Sequence, residues 1–503
     1  MTETTSGGVG LRSERGPVLA ALMLSIALVA LDSTIIATAI PSIVRDLGGF
    51  SSFPWLFSIY LLTQAVTVPL YGKYADVIGR KPVLLFGIGL FVLGSVLSGF
   101  AWSMTALIVF RGLQGLGAGA VQPISMTIVG DLYTVAERAK VQGYIASVWG
   151  VSSVLGPTLG GLFAQYGSWR WIFFVNVPVG ALAVWMLVRT FHEDVVHREH
   201  TIDFLGAAML TLGCSLLILG LLEGGVTWGW GSPQSLLVLG GGLLAVLAFV
   251  QVERRAVEPV LPLWVFRHRT LVSGNLAAVM VGALLIGLSS YVPTYVQGVL
   301  GTGALVAGFA LAALTVGWPI AAAFSGRIYL RIGFRDTALI GGVVVVLGSV
   351  SVALLTSSSA VWQVGAACFV VGVGLGLSNA PIVVAVQSVV GWENRGVVTG
   401  TNMFSRSMGS AVGVAVLGAI ANATLANRLD HVPAALRGRL PASLDTTSLM
   451  LGRHTGQPSV VANFLRSALF DATQHVFQAL VVVAVLMFIA VLFMPRRTHE
   501  ITP

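Results

Sequence analysis

Charge is what this sequence has least of. Lys, Arg, Asp and Glu make up 10% of its 503 residues, against about 25% in a soluble domain, so there is no water-facing surface large enough to wrap a globular core. Cysteine is nearly absent as well. Cys214 and Cys368 each fall in an apolar run, which excludes a disulfide framework and leaves no Cys/His spacing for a metal. There is no G-x-x-x-x-G-K-[ST] loop and no H-E-x-x-H helix, so ATP hydrolysis and metalloenzyme chemistry lack support and an enzyme is not expected. The net charge of +8 contains no basic run, which argues against a nucleic-acid partner. A soluble domain of the kind a receptor needs is missing too. The first apolar segment is too long for a signal-peptide core and no small-residue cleavage site follows it, so it should stay as a span.

Apolar length is what the chain does have. Hydrophobic residues make up 56% of it and the mean hydropathy is +0.89, values that define an all-α polytopic membrane protein. Windows of 18 or more apolar residues fall near 17–40, 54–71, 82–101, 104–129, 139–164, 171–190, 202–222, 234–251, 271–298, 303–325, 336–356, 360–390, 396–423 and 476–494. Fourteen spans are therefore expected, with both termini on one side. If that side is cytoplasmic, nineteen of the 28 basic residues lie on inner segments, as the positive-inside rule requires. Most of the outer ones sit in one long loop near 424–475. Within it, Val460 to Gln478 reads as an amphipathic helix leading into the last span. A bacterial-type cytoplasmic membrane is the expected location.

The chain also repeats itself. Sliding it by 257 residues lays Gly115, Gly117 and Gly119 on Gly372, Gly374 and Gly376, and Arg138, Gly143, Gly156 and Gly161 on Arg395, Gly400, Gly413 and Gly418. Six spans need only some 200 residues, and the excess matches one extra hairpin. The expected organisation is a six-helix bundle over 1–200, an inserted two-helix hairpin over 201–255, and a second six-helix bundle over 256–503.

Two charges lie where lipid should be. Asp32 sits in Ala27–Pro41, ALVALDSTIIATAIP, and an aspartate at the centre of a spanning helix costs about 2.5–3.5 kcal/mol, so such acids face a protein interior or water and carry function. A structural ion pair is the plainer alternative. Arg111 opens Arg111-Gly-Leu-Gln-Gly-Leu-Gly-Ala-Gly119, and counting from the outer helix ends puts both charges about 12 Å deep at 1.5 Å per residue. They are level, and Arg111 needs an anion. Arg406 is a third intramembrane charge, open either to an anionic substrate group or to a polar helix face.

Gly72-Lys-Tyr-Ala-Asp-Val-Ile-Gly-Arg-Lys81 forms a cytoplasmic turn in which glycines permit a tight reversal and Asp76 can accept from a helix N-terminus or from Arg80. The segment resembles the G-x-x-x-D-x-x-G-R-[RK] loop of the major facilitator superfamily. That resemblance implies the superfamily fold and assigns Gly72, Asp76, Gly79, Arg80 and Lys81 to an inner-gate latch holding the two halves in the outward-facing state. At an offset of 254, Gly72, Lys73 and Gly79 meet Gly326, Arg327 and Gly333, and Leu330 stands in place of Asp76.

Arg111 and Gln114 match the R-x-x-Q-G signature of superfamily antiporters, which implies a part in proton coupling. Gly150, Gly156, Pro157, Gly160 and Gly161 resemble the signature of the export branch, where small residues let helices cross closely and proline bends one. Leu31–Pro41 together with Trp169-Arg-Trp-Ile-Phe-Phe-Val-Asn-Val-Pro178 is similar to the fourteen-span drug:proton antiporters of EmrB/QacA type, over essentially the whole chain. Asp32 is then the matching first-span acid.

Tyr60, Gln64, Gln114, Gln122, Tyr291, Tyr295, Gln297, Asn379, Gln387 and Asn402 put polar or aromatic tips into apolar spans and, with Arg406, are candidates for a central cavity. An aromatic and amide lining around one acid suits lipophilic, neutral or monocationic small molecules such as drugs or antibiotics. The expected function is their proton-coupled export by alternating access, without a cofactor, by a monomer whose partners are the substrate, protons and the bilayer. A lipid or glycolipid exporter is the alternative, and a membrane-embedded enzyme or receptor a more distant one.

Overall fold

The computed structural model describes residues 10–48, 55–193, 203–224, 228–256, 259–431 and 459–496. It is all-helical apart from an isolated bridge between Gly224 and Trp228. In chain order the helices are α1 (Gly16–Leu47), α2 (Trp55–Ile78), α3 (Arg80–Gly99), α4 (Met104–Leu132), α5 (Val135–Tyr166), the short α6 (Trp171–Phe174), α7 (Asn176–Thr190), α8 (Phe204–Glu223), α9 (Pro233–Glu253), α10 (Arg269–Thr294), α11 (Ala304–Ile332), α12 (Phe334–Ala353), α13 (Val361–Ser388), α14 (Arg395–Asp430) and α15 (Ser459–Leu492). Val460 to Gln478 is part of α15 and runs into the last span without a break. Most of the expected outer loop, 432–458, lies outside the described residues.

Twelve helices among the described residues, not fourteen, are long and apolar enough to cross a bilayer, with α6 and α7 acting as one span over Trp171–Thr190. The two that fall short were expected at 54–71 and 202–222. In α2 the apolar run is diluted by Thr63, Gln64, Thr67, Lys73 and Asp76. In α8 the apolar stretch Leu205–Leu221 ends just short of a full window.

Several chain reversals meet at one end of the molecule. Arg15, ahead of α1, donates to the Leu132 carbonyl at 2.6 Å at the end of α4. Tyr329 near the end of α11 donates to the Val135 carbonyl at 2.8 Å, and Arg335 reaches the Leu492 carbonyl at the end of α15. Arg15, Lys73, Arg80, Lys81, Arg138 and Arg395 also collect at this end, which we call the basic face.

In a bilayer, lipid tails replace water as the competing surroundings, so helices associate through close packing more than through the hydrophobic effect. The glycines of the repeat show how. A Cβ on Gly115 would stand 2.5 Å from the Tyr60 carbonyl oxygen of α2, and one on Gly372 would stand 2.2 Å from the Leu314 carbonyl oxygen of α11. Gly117 and Gly374 do the same against the backbones of α3 and α12, at 2.4 and 2.5 Å. Thus α4 wedges between α2 and α3 as α13 wedges between α11 and α12. One apolar core gathers residues from Val18 to Phe191 with Met403, another those from Val265 to Met494. A third joins Leu62, Ala65 and Val66 of α2 to Leu210, Cys214 and Ile218 of α8, Phe249 of α9 and Ala411 of α14. Helix α8 therefore covers the cleft between α2 and α14.

The clefts are not alike. Gly143 and Gly150 of α5 pack on Ala323 and Thr315 of α11, and the Ser153 and Thr315 hydroxyls are hydrogen-bonded at 3.1 Å. Three turns beyond Gly150 on the same stripe, Gly161 meets nothing within 4 Å; two turns beyond Thr315, neither does Gly308. The two helices diverge away from the basic face.

Candidate functional site

Asp32 and Arg111 are each only 1% exposed and form an ion pair at 2.5 Å between α1 and α4. Either charge alone would be costly in a spanning helix, and the surroundings are built so that neither is alone. Gln114, one turn from Arg111, donates to the second carboxylate oxygen at 2.7 Å and accepts from the guanidinium at 2.7 Å. Asn176, the first residue of α7, donates to Asp32 at 3.3 Å and to the Ser95 hydroxyl at 2.9 Å, and the Ser95 hydroxyl donates in turn to the Phe173 carbonyl at 2.9 Å. The Tyr60 ring lies 4.2 Å from the Arg111 guanidinium, a cation–π contact in dry surroundings. A carboxylate, a guanidinium and two amides from three helices, α1, α4 and α7, are thus hydrogen-bonded into one buried cluster. Asn176 belongs to the Trp169–Pro178 motif, but nothing in its spacing pairs it with Asp32.

A second assembly closes the basic face. Arg80 is 1% exposed and donates to Asp76 at 2.9 Å, Asp131 at 3.0 Å, the Ala75 carbonyl at 3.0 Å and the Trp392 carbonyl at 2.6 Å. Its guanidinium also lies 3.7 Å from the Trp392 ring centre. Asp76 accepts from the backbone amides of Gly396 and Val397 at 2.9 and 2.8 Å, so it caps the N-terminus of α14, where unpaired amides and the helix dipole favour an anion. Arg395 returns the contact, reaching Asp131 at 2.9 Å and the Gly130 carbonyl at 3.0 Å.

Gly72 lets the backbones meet: a Cβ there would lie 2.6 Å from the Gly396 carbonyl oxygen. Gly79 takes a positive φ of 101° to turn α2 into α3, which only glycine adopts freely. Lys81 donates to the Val188 carbonyl at 3.1 Å, and Glu193 accepts from the Arg80 and Lys81 amides at 3.0 and 2.9 Å. Gln387 completes the plug, donating to the Met126 carbonyl and the Thr399 hydroxyl, both at 3.1 Å. Asp131, Trp392, Arg395 and Glu193 are the members of this plug that sequence motifs do not reveal.

The export-branch motif lies where α5 crosses α1 and α11. A Cβ on Gly156 would stand 2.0 Å from the Thr34 hydroxyl oxygen, which itself bonds to the Ser152 carbonyl at 3.0 Å. Gly150 faces the Thr315 carbonyl, Gly160 is buried, and the Pro157 side chain lies outside the described residues. The expected cavity residues divide. Tyr60 and Gln114 belong to the Asp32 site, and the Tyr60 hydroxyl has no partner among the described residues. Gln387 belongs to the plug. Asn402 ties α14 to the Gly274 carbonyl and Asn275 of α10, at 3.1 and 3.2 Å, and Tyr295 is buried with its hydroxyl on the Thr356 carbonyl at 2.6 Å. Gln64, Gln122, Tyr291, Gln297, Asn379 and Arg406 are half-buried.

Membrane-length helices around a buried charge pair, plugged at one end by charges drawn from both parts of the repeat, define a membrane transporter. The sequence profile described as Major Facilitator Superfamily matches residues 22–414, and the chain belongs to that superfamily: it is a multi-pass membrane transporter and not an enzyme. It is similar to Multidrug resistance protein 3 of Bacillus subtilis (strain 168), with 33% identity over 491 residues and 96% of each chain covered. Multidrug transporter protein MdtP of the same organism is 34% identical over 442 residues, covering 88% of this chain and 82% of that one. Among solved structures, the human organic anion transporter MFSD10 (TETRAN) matches with a TM-score of 0.63 over 95% of this chain and 99% of its own; at 15% identity that likeness is one of fold.

Proposed function

We propose that the protein is a proton-coupled drug exporter of the cytoplasmic membrane. In this reading the basic face and both termini are cytoplasmic, α2 and α8 also cross, and the fourteen crossings form two six-helix bundles, 1–200 and 256–503, with 201–255 as an inserted pair. It acts as a monomer without a cofactor. The cargo is a lipophilic small molecule, neutral or monocationic, and the names of the bacterial relatives support drug efflux.

The observation that carries the proposal is the buried Asp32–Arg111 pair. A proton arriving on Asp32 from the far side cancels the attraction for Arg111 or for a cationic cargo. The bundles then rock, parting the plug of Asp76, Arg80, Asp131 and Arg395, and a ligand shifts such an equilibrium only by its differential affinity for the two states. The test is uphill export in vesicles driven by a pH gradient, together with dye efflux with and without a protonophore. Export that collapses with the gradient while ATP is intact, and is lost in Asp32→Asn, is expected; full gradient-driven export by Asp32→Asn refutes the coupling. Export of lipids or glycolipids is the second reading. The divergence of α5 from α11 beyond Gly150 supports it, since acyl chains need a sideways opening.

A further inference from the structure

We propose that Arg406 is an oxyanion-binding residue of the transport cavity, so that the cargo includes lipophilic molecules carrying one carboxylate, sulfonate or phosphate group. The inference rests on the exporter reading and extends its cargo beyond neutral and monocationic compounds.

The contacts of α14 fix where its faces look. Asn402 bonds to α10, and Gly409 and Gly413 pack on Val279 and Ala283 of the same helix. Gly396 and Gly400 lie against Gly72 and the Val68 carbonyl of α2. Thr399 points between these directions, toward Gln387 of α13, which in turn holds the Met126 carbonyl of α4. That is the level at which the plug closes.

Arg406 lies seven residues further along α14. At 3.6 residues per turn, seven residues return to within about 20° of the same direction and climb about 10 Å. Arg406 therefore stands on the stripe of Thr399, two turns above the plug. One turn nearer the plug, Met403 is buried among residues of α1 to α7.

Arg406 is half-buried, and among the described residues no carboxylate, carbonyl or hydroxyl takes a hydrogen bond or ion pair from its guanidinium. The other two charges deep in the spans, Asp32 and Arg111, neutralise each other. Among the described residues the spans are thus left with one uncompensated positive charge deep inside, carried by a planar group with five N–H donors and no acceptor. Such a group pairs with oxyanions in bidentate fashion, more strongly the less water surrounds it.

The experiment measures binding of 6-phenylhexanoate and of its primary amide, 6-phenylhexanamide, to the full chain in phosphatidylcholine nanodiscs by titration calorimetry at neutral pH. The expected result is that the acid binds wild type about tenfold or more tightly than the amide. Arg406→Gln should bring the acid down to the affinity of the amide, and Arg406→Lys should keep part of the preference. Equal affinities in wild type, or a preference that survives in Arg406→Gln, would overturn the proposal. Should Arg406→Gln fail to fold, the wild-type ratio and the Lys variant decide the matter. In phosphatidylglycerol nanodiscs, undiminished acid binding supports a soluble cargo, while its loss there transfers the site to lipid phosphate and overturns the cargo assignment. No gradient is present, so a protonophore-insensitive transporter would refute the coupling and leave this binding result standing.

Discussion

Placing a methyl group on Gly396 tests whether the plug sets the resting state. A Cβ there would stand 2.3 Å from the Gly72 carbonyl oxygen and 2.6 Å from Asp76 Oδ1. The backbone of α2 cannot yield as a flexible side-chain tip would, so α2 and α14 must separate by about 1 Å to restore ordinary contact. That separation stretches the two amide bonds into Asp76, now 2.9 and 2.8 Å. Hydrogen bonds to a charged group contribute about 1.5–3 kcal/mol each. Losing one moves the balance toward a parted basic face by about 10- to 100-fold, at 1.4 kcal/mol per decade. Spin labels at Lys140 and Arg331, both exposed on α5 and α11, report the separation by pulsed electron resonance. The expected result for Gly396→Ala is a longer-distance population at least tenfold enriched. Gly161→Ala is the control, since its Cβ meets nothing within 4 Å. An unaltered distance distribution in Gly396→Ala, with normal thermal stability, would show that this contact does not hold the face shut.

Three further outcomes follow from the geometry. Asn176→Ala removes a donor to Asp32 and leaves Ser95 without its amide partner; a loss of about 1–3 kcal/mol in stability and a displaced pH profile of transport are expected, and an unmoved profile would exclude Asn176 from tuning the acid. Gly156→Ala collides with Thr34 and should lower the melting temperature, while Thr34→Ala in the same chain should restore much of it; a purely additive double mutant would show that the two do not share a contact. At the end opposite the basic face, Arg170 and then Trp169 hydrogen-bond Asp46 and hold its carboxyl below the usual range. A depressed carboxyl supports the fold above its unfolded pKa and loses that support as pH falls through the folded one; Asp46→Asn should therefore flatten the acid limb of the stability curve, and identical acid limbs would dismiss the contact.

What could be read from the sequence depended on whether a signal was local. Helix positions are periodic, so depth counting alone sets Asp32 and Arg111 level, and Arg111 brings Gln114 with it from one turn away. The turn Gly72–Lys81 carries its own chemistry in ten residues. Partners of Arg80 such as Asp131 and Trp392 lie 51 and 312 residues away, and no local pattern reports an encounter at that separation. Polar tips within spans were ambiguous for another reason. Asn402 and Tyr295 satisfy neighbouring backbones, Gln387 seals the plug and Arg406 has no partner among the described residues, yet each looks alike as an isolated polar residue in an apolar run. Helices α2 and α8 sit at the margin of the hydropathy criterion, because Thr63, Gln64 and Thr67 dilute the first and the apolar stretch of the second stops at Leu221.

At 36 and 34 residues, α14 and α15 measure about 54 and 51 Å, against a hydrocarbon core of roughly 30 Å. They are joined at the end away from the basic face by Thr424 to His475 and by the ion pair of Arg428 with Asp471. Because they are fastened together, they form a lever rather than two loose ends. A turn of about 15°, the size seen when protein bodies swivel about an interface, would swing a tip about 40 Å from the pivot through roughly 10 Å. Motion that is slight near the middle of the molecule is thereby magnified at the end away from the basic face, where an antibody fragment gripping the mast would restrain it without ever reaching the interior.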